Sequence, residues 1–146
     1  MMQALSIRQP WAWLILFAGK DVENRIWTPP ASMIGRRFLI HAAKTCTEDE
    51  LEVAEDFAGC WVPTLETLDR GGIVGVCRLA GWVRKHADGR RSGRGPGCMR
   101  GTSRWFVGPV GFLLDEVEAL PFTPLRGNRG FFPVATDVVR RLGVTP

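Results

Sequence analysis

The sequence predicts one α+β domain built on a curled or closed sheet, with two or three short helices packed beside it. Three observations carry that reading. Segments with strand patterning are interrupted by helical ones without regular βαβ alternation and without an internal repeat. The long stretch Ile73–Val83 is rich in Val and punctuated by Gly75 and Gly81, which suit a bend or a close approach in a small barrel. The chain has 146 residues, enough for one continuous core and too few for two, so a single domain spanning 1–146 is expected. A hydrophobic fraction of 45% against 23% charged residues excludes global disorder.

Each element follows in order. A helix opens at Gln9, Pro10 and Trp11, with proline at the first helical position, apolar residues at Trp11, Leu14, Ile15 and Ala18, and Gly19 as the stop. Asp21–Trp27 alternates as a strand, placing Glu23, Arg25 and Trp27 on one side and Val22, Asn24 and Ile26 on the other. Arg37–Ala43 is a second strand, whose apolar run Phe38–Ile40 ends in His41. Thr47 followed three residues later by Glu50 is a capping box, and its helix should reach about Ala58 before Gly59. After Ile73–Val83, the segments Trp105–Val107 and Val110–Leu120 read as returning strands around a Gly108-Pro109 turn, and Val134–Leu142 as a short terminal helix.

Several function classes fall away. No window reaches the roughly 18 to 20 apolar residues of a membrane span, so no membrane association is expected. The apolar run Trp11–Ala18 has only Arg8 before it and no small-residue cleavage site, which makes the cytoplasm the expected compartment. Cys46, Cys60, Cys77 and Cys98 form no CxxC pair, and His41 and His86 are far apart, so neither a metal nor a cofactor is expected. Cys60 and Cys77 read as buried, reduced thiols.

Charge is unevenly distributed. Between residues 84 and 104 lie Arg84, Lys85, Arg90, Arg91, Arg94, Arg100 and Arg104 against the single acid Asp88, an excess larger than the net +4 of the whole chain. Gly89, Gly93, Gly95, Pro96 and Gly97 break the same stretch, which therefore reads as a mobile basic Gly/Arg-rich loop. Arginine's planar fork favours phosphate contact over simple solvation there. A helix carrying Glu48, Asp49, Glu50, Glu52, Glu55 and Asp56 forms an acidic counterpart.

The segment Ser6–Trp27, SIRQPWAWLILFAGKDVENRIW, concentrates chemistry. A helix stops at Gly19 and at once offers Lys20, Glu23 and Arg25 at the entry to a strand, with Trp27 next on the same face. Cations, a carboxylate and a flat ring together suit a nucleobase. The bland alternative is a solvated ion-pair cluster, which would contribute little.

These residues resemble the ASCH superfamily, whose motif GxKxxExR is matched by Gly19, Lys20, Glu23 and Arg25. The resemblance continues through FLIHAA at 38–43, GGIVGVCRL at 71–79, SRWFVGPVGFLL at 103–114 and LRGNRGFF at 125–132. It implies a small PUA-like β-barrel flanked by two or three short helices, with a cleft against the barrel. It also implies association with RNA or modified nucleotides. Some members are similar to acetylcytidine amidohydrolases, which use a lysine, a threonine three residues later and a distant glutamate. Lys20 matches the first, but Glu23 stands at the threonine position and Ile73–Leu79 holds no acid. Others are similar to ribonucleases or to coactivator domains.

The leading expectation is RNA or modified-nucleoside binding. Ser6, Lys20, Glu23, Arg25, Trp27, His41 and Trp105 would contact the ligand, and Arg84, Lys85, Arg90, Arg91, Arg94, Arg100 and Arg104 would follow the backbone of the nucleic acid. Trp11, Trp13, Trp61 and Trp82 are assigned to core or lid packing. The alternative is a small hydrolase, an amidohydrolase or ribonuclease, with Lys20 and Glu23 catalytic in the same cleft. An ordinary lysine is almost fully protonated at neutral pH, and a paired carboxylate keeps it so, which weighs toward recognition. The sequence names no protein partner.

Overall fold

The computed structural model describes residues 1–98 and 103–146. In chain order the elements are β1 (Gln3–Ile7), α1 (Trp11–Phe17), β2 (Val22–Arg25), a 3-10 turn (Ala31–Met33), β3 (Arg37–Ala42), α2 (Glu48–Ala58), β4 (Gly72–Lys85), β5 (Arg91–Arg94), β6 (Val110–Pro124), β7 (Phe131–Pro133) and α3 (Thr136–Leu142). The chain is α+β, with one mixed seven-stranded sheet in the order β2-β6-β4-β3-β1-β7 and β5 added on β4. Among the described residues only β1 and β3 pair in parallel; the other pairs are antiparallel.

The edge strands β2 and β7 share no ladder, so the closed barrel expected from the sequence is not formed. The sheet curls far enough for side chains to meet across the opening instead. Phe112 of β6 and Phe131 of β7, four places apart in the strand order, stack with ring centroids 6.1 Å apart. Trp27, just beyond β2, meets Phe112 and Phe131 edge-on at 5.1 and 6.0 Å. Around these rings lie Leu5, Ile7, Phe38, Ile40 and Leu79, with Ala12 and Ile15 of α1 in the same cluster. Full burial of such side chains contributes about 1.5–3 kcal/mol each. β3 is covered on both faces, since Leu39 packs with Ile73, Val76, Val138 and Val139 under α3. A third cluster joins α1 and α2 through Leu14, Leu51, Ala54, Val62 and Trp105.

The helix limits follow the end signals. Thr47 accepts from the Glu50 amide while the Glu50 carboxylate accepts from the Thr47 amide, and Gly59 closes α2 at φ 66°. Among the described residues no helix is long and apolar enough to cross a membrane.

Three expectations need correction. Trp105–Val107 is a turn, not a strand, and the return begins at Val110. Cys60 is exposed, whereas Cys77 and Cys46 are buried. The stretch expected to be a mobile loop contains a hairpin: β4 runs on to Lys85, turns, and pairs with β5 through Trp82↔Arg94, Arg84↔Ser92 and Lys85↔Arg91. Its glycines serve close packing. A Cβ on Gly93 would overlap the Trp82 carbonyl and sit 2.9 Å from the Cys98 Cβ. Arg100 lies outside the described residues.

A packed hairpin and a loose loop respond differently to one methyl group. Gly93→Ala should cost about 1–3 kcal/mol of stability by overpacking, read as a lowered midpoint in chemical denaturation; an unchanged midpoint would contradict the hairpin.

Candidate functional site

Gly19, at φ 73°, ends α1 and turns the chain back so that the Lys20 amide bonds to Leu14 O at 3.1 Å. Lys20 thereby enters the protein instead of leaving it, and is 3% exposed. Its ammonium donates to Val22 O at 2.6 Å and to Glu23 Oε1 at 3.1 Å, and lies 5.5 Å from the centre of the Trp11 ring. β2 then pairs with β6, setting Glu23 opposite Phe112 and Arg25 opposite Val110. Those partners are fully buried, so the strand's charged face turns to the inside of the curled sheet.

Glu23 is the shared anion. Its Oε2 takes Arg25 Nη2 at 3.1 Å while Oε1 holds Lys20. The same Arg25 Nη2 donates to the Ser6 carbonyl at 2.6 Å, tying β2 to β1 across the gap that no ladder closes. Arg25 Nε is buried without an acceptor among the described residues. The three charges therefore converge, and they are not the solvated cluster of the bland reading.

They open onto a cavity of about 430 Å³, also lined by Ser6, Arg8, Trp11, Asn24, Phe57, Trp105 and Val107. That volume is in the range of small-ligand sites. Asn24 builds part of the wall. Its amide donates to Trp105 O at 2.9 Å and accepts from the Val107 and Gly108 amides at 2.9 and 3.0 Å, fixing the turn that carries Trp105. Arg104 lies over the Trp105 ring, 4.3 Å from its centre, and donates to Phe57 O and Ala58 O at the end of α2. Phe57 meets Trp11 edge-on at 6.1 Å and Trp105 at 5.8 Å, completing an aromatic arc.

At the rim, Arg8 donates to Glu50 at 2.8 Å. Burial of Glu50 acts upward on its carboxyl, but the Thr47 amide and Arg8 outweigh it and hold the group below its usual range. A carboxylate depressed on folding stabilises above its ordinary range, and that contribution is lost as pH falls through the lowered value.

Of the expected ligand residues, Ser6, Lys20, Glu23, Arg25 and Trp105 share this cavity, while Trp27 and His41 do not line it. β2 ends at Arg25, so the alternation stops before Trp27, whose ring joins the aromatic core instead. His41 is buried on the other side of Ser6, with Nδ1 2.9 Å from Ser6 Oγ and Nε2 2.6 Å from Leu125 O. None of Arg84, Lys85, Arg90, Arg91, Arg94 and Arg104 lines the cavity. Arg90 is paired with Asp88, Arg91 rests 5.1 Å from the Phe106 ring, and Arg104 is committed to α2. The register puts Arg84 and Arg94 on one face of the hairpin and Lys85 and Arg91 on the other.

Arg8, Trp11, Asn24, Phe57 and Val107 were not expected in the cleft. Phe57 carries a legible signal, since it lies three residues after buried Ala54 on α2; Asn24, on the strand face opposite Glu23, carries none. Among the described residues no group of three His, Cys, Asp or Glu side chains could hold a metal ion. Burial pushes the Cys46 and Cys77 thiols up, the latter strongly.

The ASCH domain profile matches residues 5–118, which take in most of β1, the Lys20–Glu23–Arg25 cluster and most of β6. The chain belongs to the ASCH domain family. Curated proteins yield no match. The ASCH family is PUA-like, which is consistent with RNA binding in general.

A buried pair broken on one side leaves an uncompensated charge. Glu23→Gln should destabilise this ASCH domain by about 3–5 kcal/mol, and combining it with Lys20→Met should recover part of that loss in the same denaturation experiment. A loss under 1 kcal/mol would mean that the cluster is solvated after all.

Proposed function

We propose that this ASCH domain binds a nucleobase, presented in RNA or as a modified nucleoside, in the 430 Å³ cleft. One observation carries the reading: the same cavity joins the aromatic arc Trp11, Phe57 and Trp105 to the buried cluster Lys20, Glu23 and Arg25. A base offers a flat apolar face and a polar edge, which matches such a wall. Stacking contributes about 1–3 kcal/mol per base and tolerates any base. A carboxylate has about four lone-pair positions, and Glu23 uses only part of them on Lys20 and Arg25, so it remains able to accept from a base N–H. The hairpin arginines Arg84 and Arg94 are proposed to follow the backbone of a longer strand.

Recognition fits better than hydrolysis. A nucleophilic Lys20 would have to give up a proton while donating to Val22 O and Glu23, and its nitrogen is enclosed against Trp11. The amidohydrolase pattern also lacks its threonine and its distant acid here.

Two measurements test the reading. In titrations with free nucleosides, including N4-acetylcytidine, and with single-stranded RNA, Trp105→Ala should weaken binding about tenfold or more, whereas Trp61→Ala, at an exposed ring outside the cavity, should not. No binding to any of these ligands, or turnover abolished by Lys20→Ala with binding retained, would overturn it. For RNA, log affinity should fall with log salt by about 0.7 per neutralised phosphate, and Arg84→Ala with Arg94→Ala should flatten that slope; an unaltered slope would remove the hairpin from the interface.

A further inference from the structure

Beside the cleft, on the other side of Ser6, lies a second cavity of about 660 Å³ lined by Ser6, His41, Lys44, Arg70, Leu125 and Arg126, together with neighbouring backbone. Its cations come from three distant parts of the chain. The ladders Ala42↔Gly72 and Gly72↔Pro124 bring the end of β3, the start of β4 and the end of β6 together at one end of the sheet. Lys44, Arg70 and Arg126 stand just beyond those ends. Gly71 N bonds to Ala42 O at 2.8 Å, Leu125 N to Gly71 O at 3.1 Å, and Arg70 Nη1 to Lys44 O at 3.1 Å, so the three segments are laced together.

The charge there is unbalanced. Among the described residues no carboxylate lines this cavity, and none of the three cations has a carboxylate partner within ion-pair distance. Arg8 and Arg25 in the first cavity each have one. Gathering like charges around a concavity without a counter-charge raises the local attraction for anions. The segment carrying Arg126 is also seated firmly. His41 Nε2 bonds to Leu125 O, and a Cβ on Gly127 would lie 2.7 Å from the His41 ring. Ser6 divides the two spaces: its carbonyl takes Arg25 on one side, and its hydroxyl meets His41 Nδ1 on the other.

We infer that this second cavity is a phosphate site for the nucleotide whose base occupies the cleft, so that a phosphorylated nucleotide or an RNA strand is a better ligand than the free nucleoside. The base half of this inference rests on the proposed function; the phosphate half does not. Arg70 and Arg126 offer planar forks suited to phosphate oxygens, and Lys44 adds a point charge.

The test uses inorganic phosphate, followed by amide NMR, and calorimetric titration with a nucleoside, its 5′- and 3′-monophosphates and a dinucleotide. Phosphate alone should shift the Gly71 and Gly127 amides, and one of the phosphorylated ligands should bind about tenfold or more tighter than the nucleoside. The arm that gains gives the direction of the strand. Lys44→Gln with Arg70→Gln and Arg126→Gln should abolish the gain and leave nucleoside affinity unchanged, and Arg126→Gln alone, at an exposed side chain, should reduce it in a protein whose circular dichroism is unaltered. Phosphorylated ligands that bind no tighter than the nucleoside, or a gain that survives the triple variant, would overturn the phosphate site while leaving the base cleft standing. Phosphate shifts without any nucleoside binding would support the anion site and remove the base reading.

Discussion

The architecture of the cleft turns on one buried carboxylate. Glu23 is held between Lys20 and Arg25, and each of those contacts fixes a different piece of chain. Lys20 fixes the exit of α1, because Gly19 must turn back for its ammonium to reach both Val22 O and Glu23. Arg25 fixes the open side of the sheet, because its Nη2 also holds the Ser6 carbonyl of β1. Hydrophobic burial brings Phe112 and Phe131 together deeper inside, but polar backbone at the unpaired edge of β2, and at Ser6 beyond the short β1–β7 ladder, still needs partners. A side chain supplies there what a barrel would supply with a ladder. The gap bridged by Arg25 and the mouth of the cleft are thus the same place in the molecule.

Removing two cations and an anion from water is costly, and replacing such a cluster with apolar residues often stabilises a protein. The cluster is therefore poorly explained as a stability device. Arg25 Nε, without an acceptor among the described residues, adds to that cost. What the arrangement does provide is a set of rigid polar atoms beside an aromatic arc, with Asn24 holding the Trp105 carbonyl and Arg104 lying over its ring. Positions held this way do not have to be ordered when a ligand arrives, which lowers the entropic cost of binding.

What could be read from the sequence follows the range over which each signal acts. The capping box at Thr47 and Glu50, the Gly59 stop and the long β4 were legible because their causes lie within a few residues. So was the shared face of Glu23 and Arg25, a consequence of strand periodicity. That same periodicity misled at Trp27, because nothing local says that β2 ends two residues earlier. β1 and β7 were missed: both are short, and β1 owes its place to pairing with β3 some 35 residues away, as Ser6↔His41 records. Glycines between 89 and 97 looked like flexibility, yet Gly93 is there because β5 approaches β4 too closely for a side chain. Composition cannot separate a glycine that frees the backbone from one that lets two backbones touch. The convergence of Lys44, Arg70 and Arg126 was invisible for a related reason, since it exists only through the β3, β4 and β6 registers.

The choice between recognition and catalysis also comes down to where donors are spent. Lys20 has three N–H bonds; two are taken by Val22 O and Glu23, and the ammonium faces the Trp11 ring. While protonated, a group in that position stabilises negative charge and orients its neighbours, with no lone pair to offer. Freeing one would strand Glu23 with a single cation in a buried site, so the penalty for activating the lysine falls on the same carboxylate that holds the sheet's seam. An enzyme can accept such coupling only if substrate binding replaces the lost partner. A binding protein needs no such exchange, because its ligand meets the cluster as it already stands.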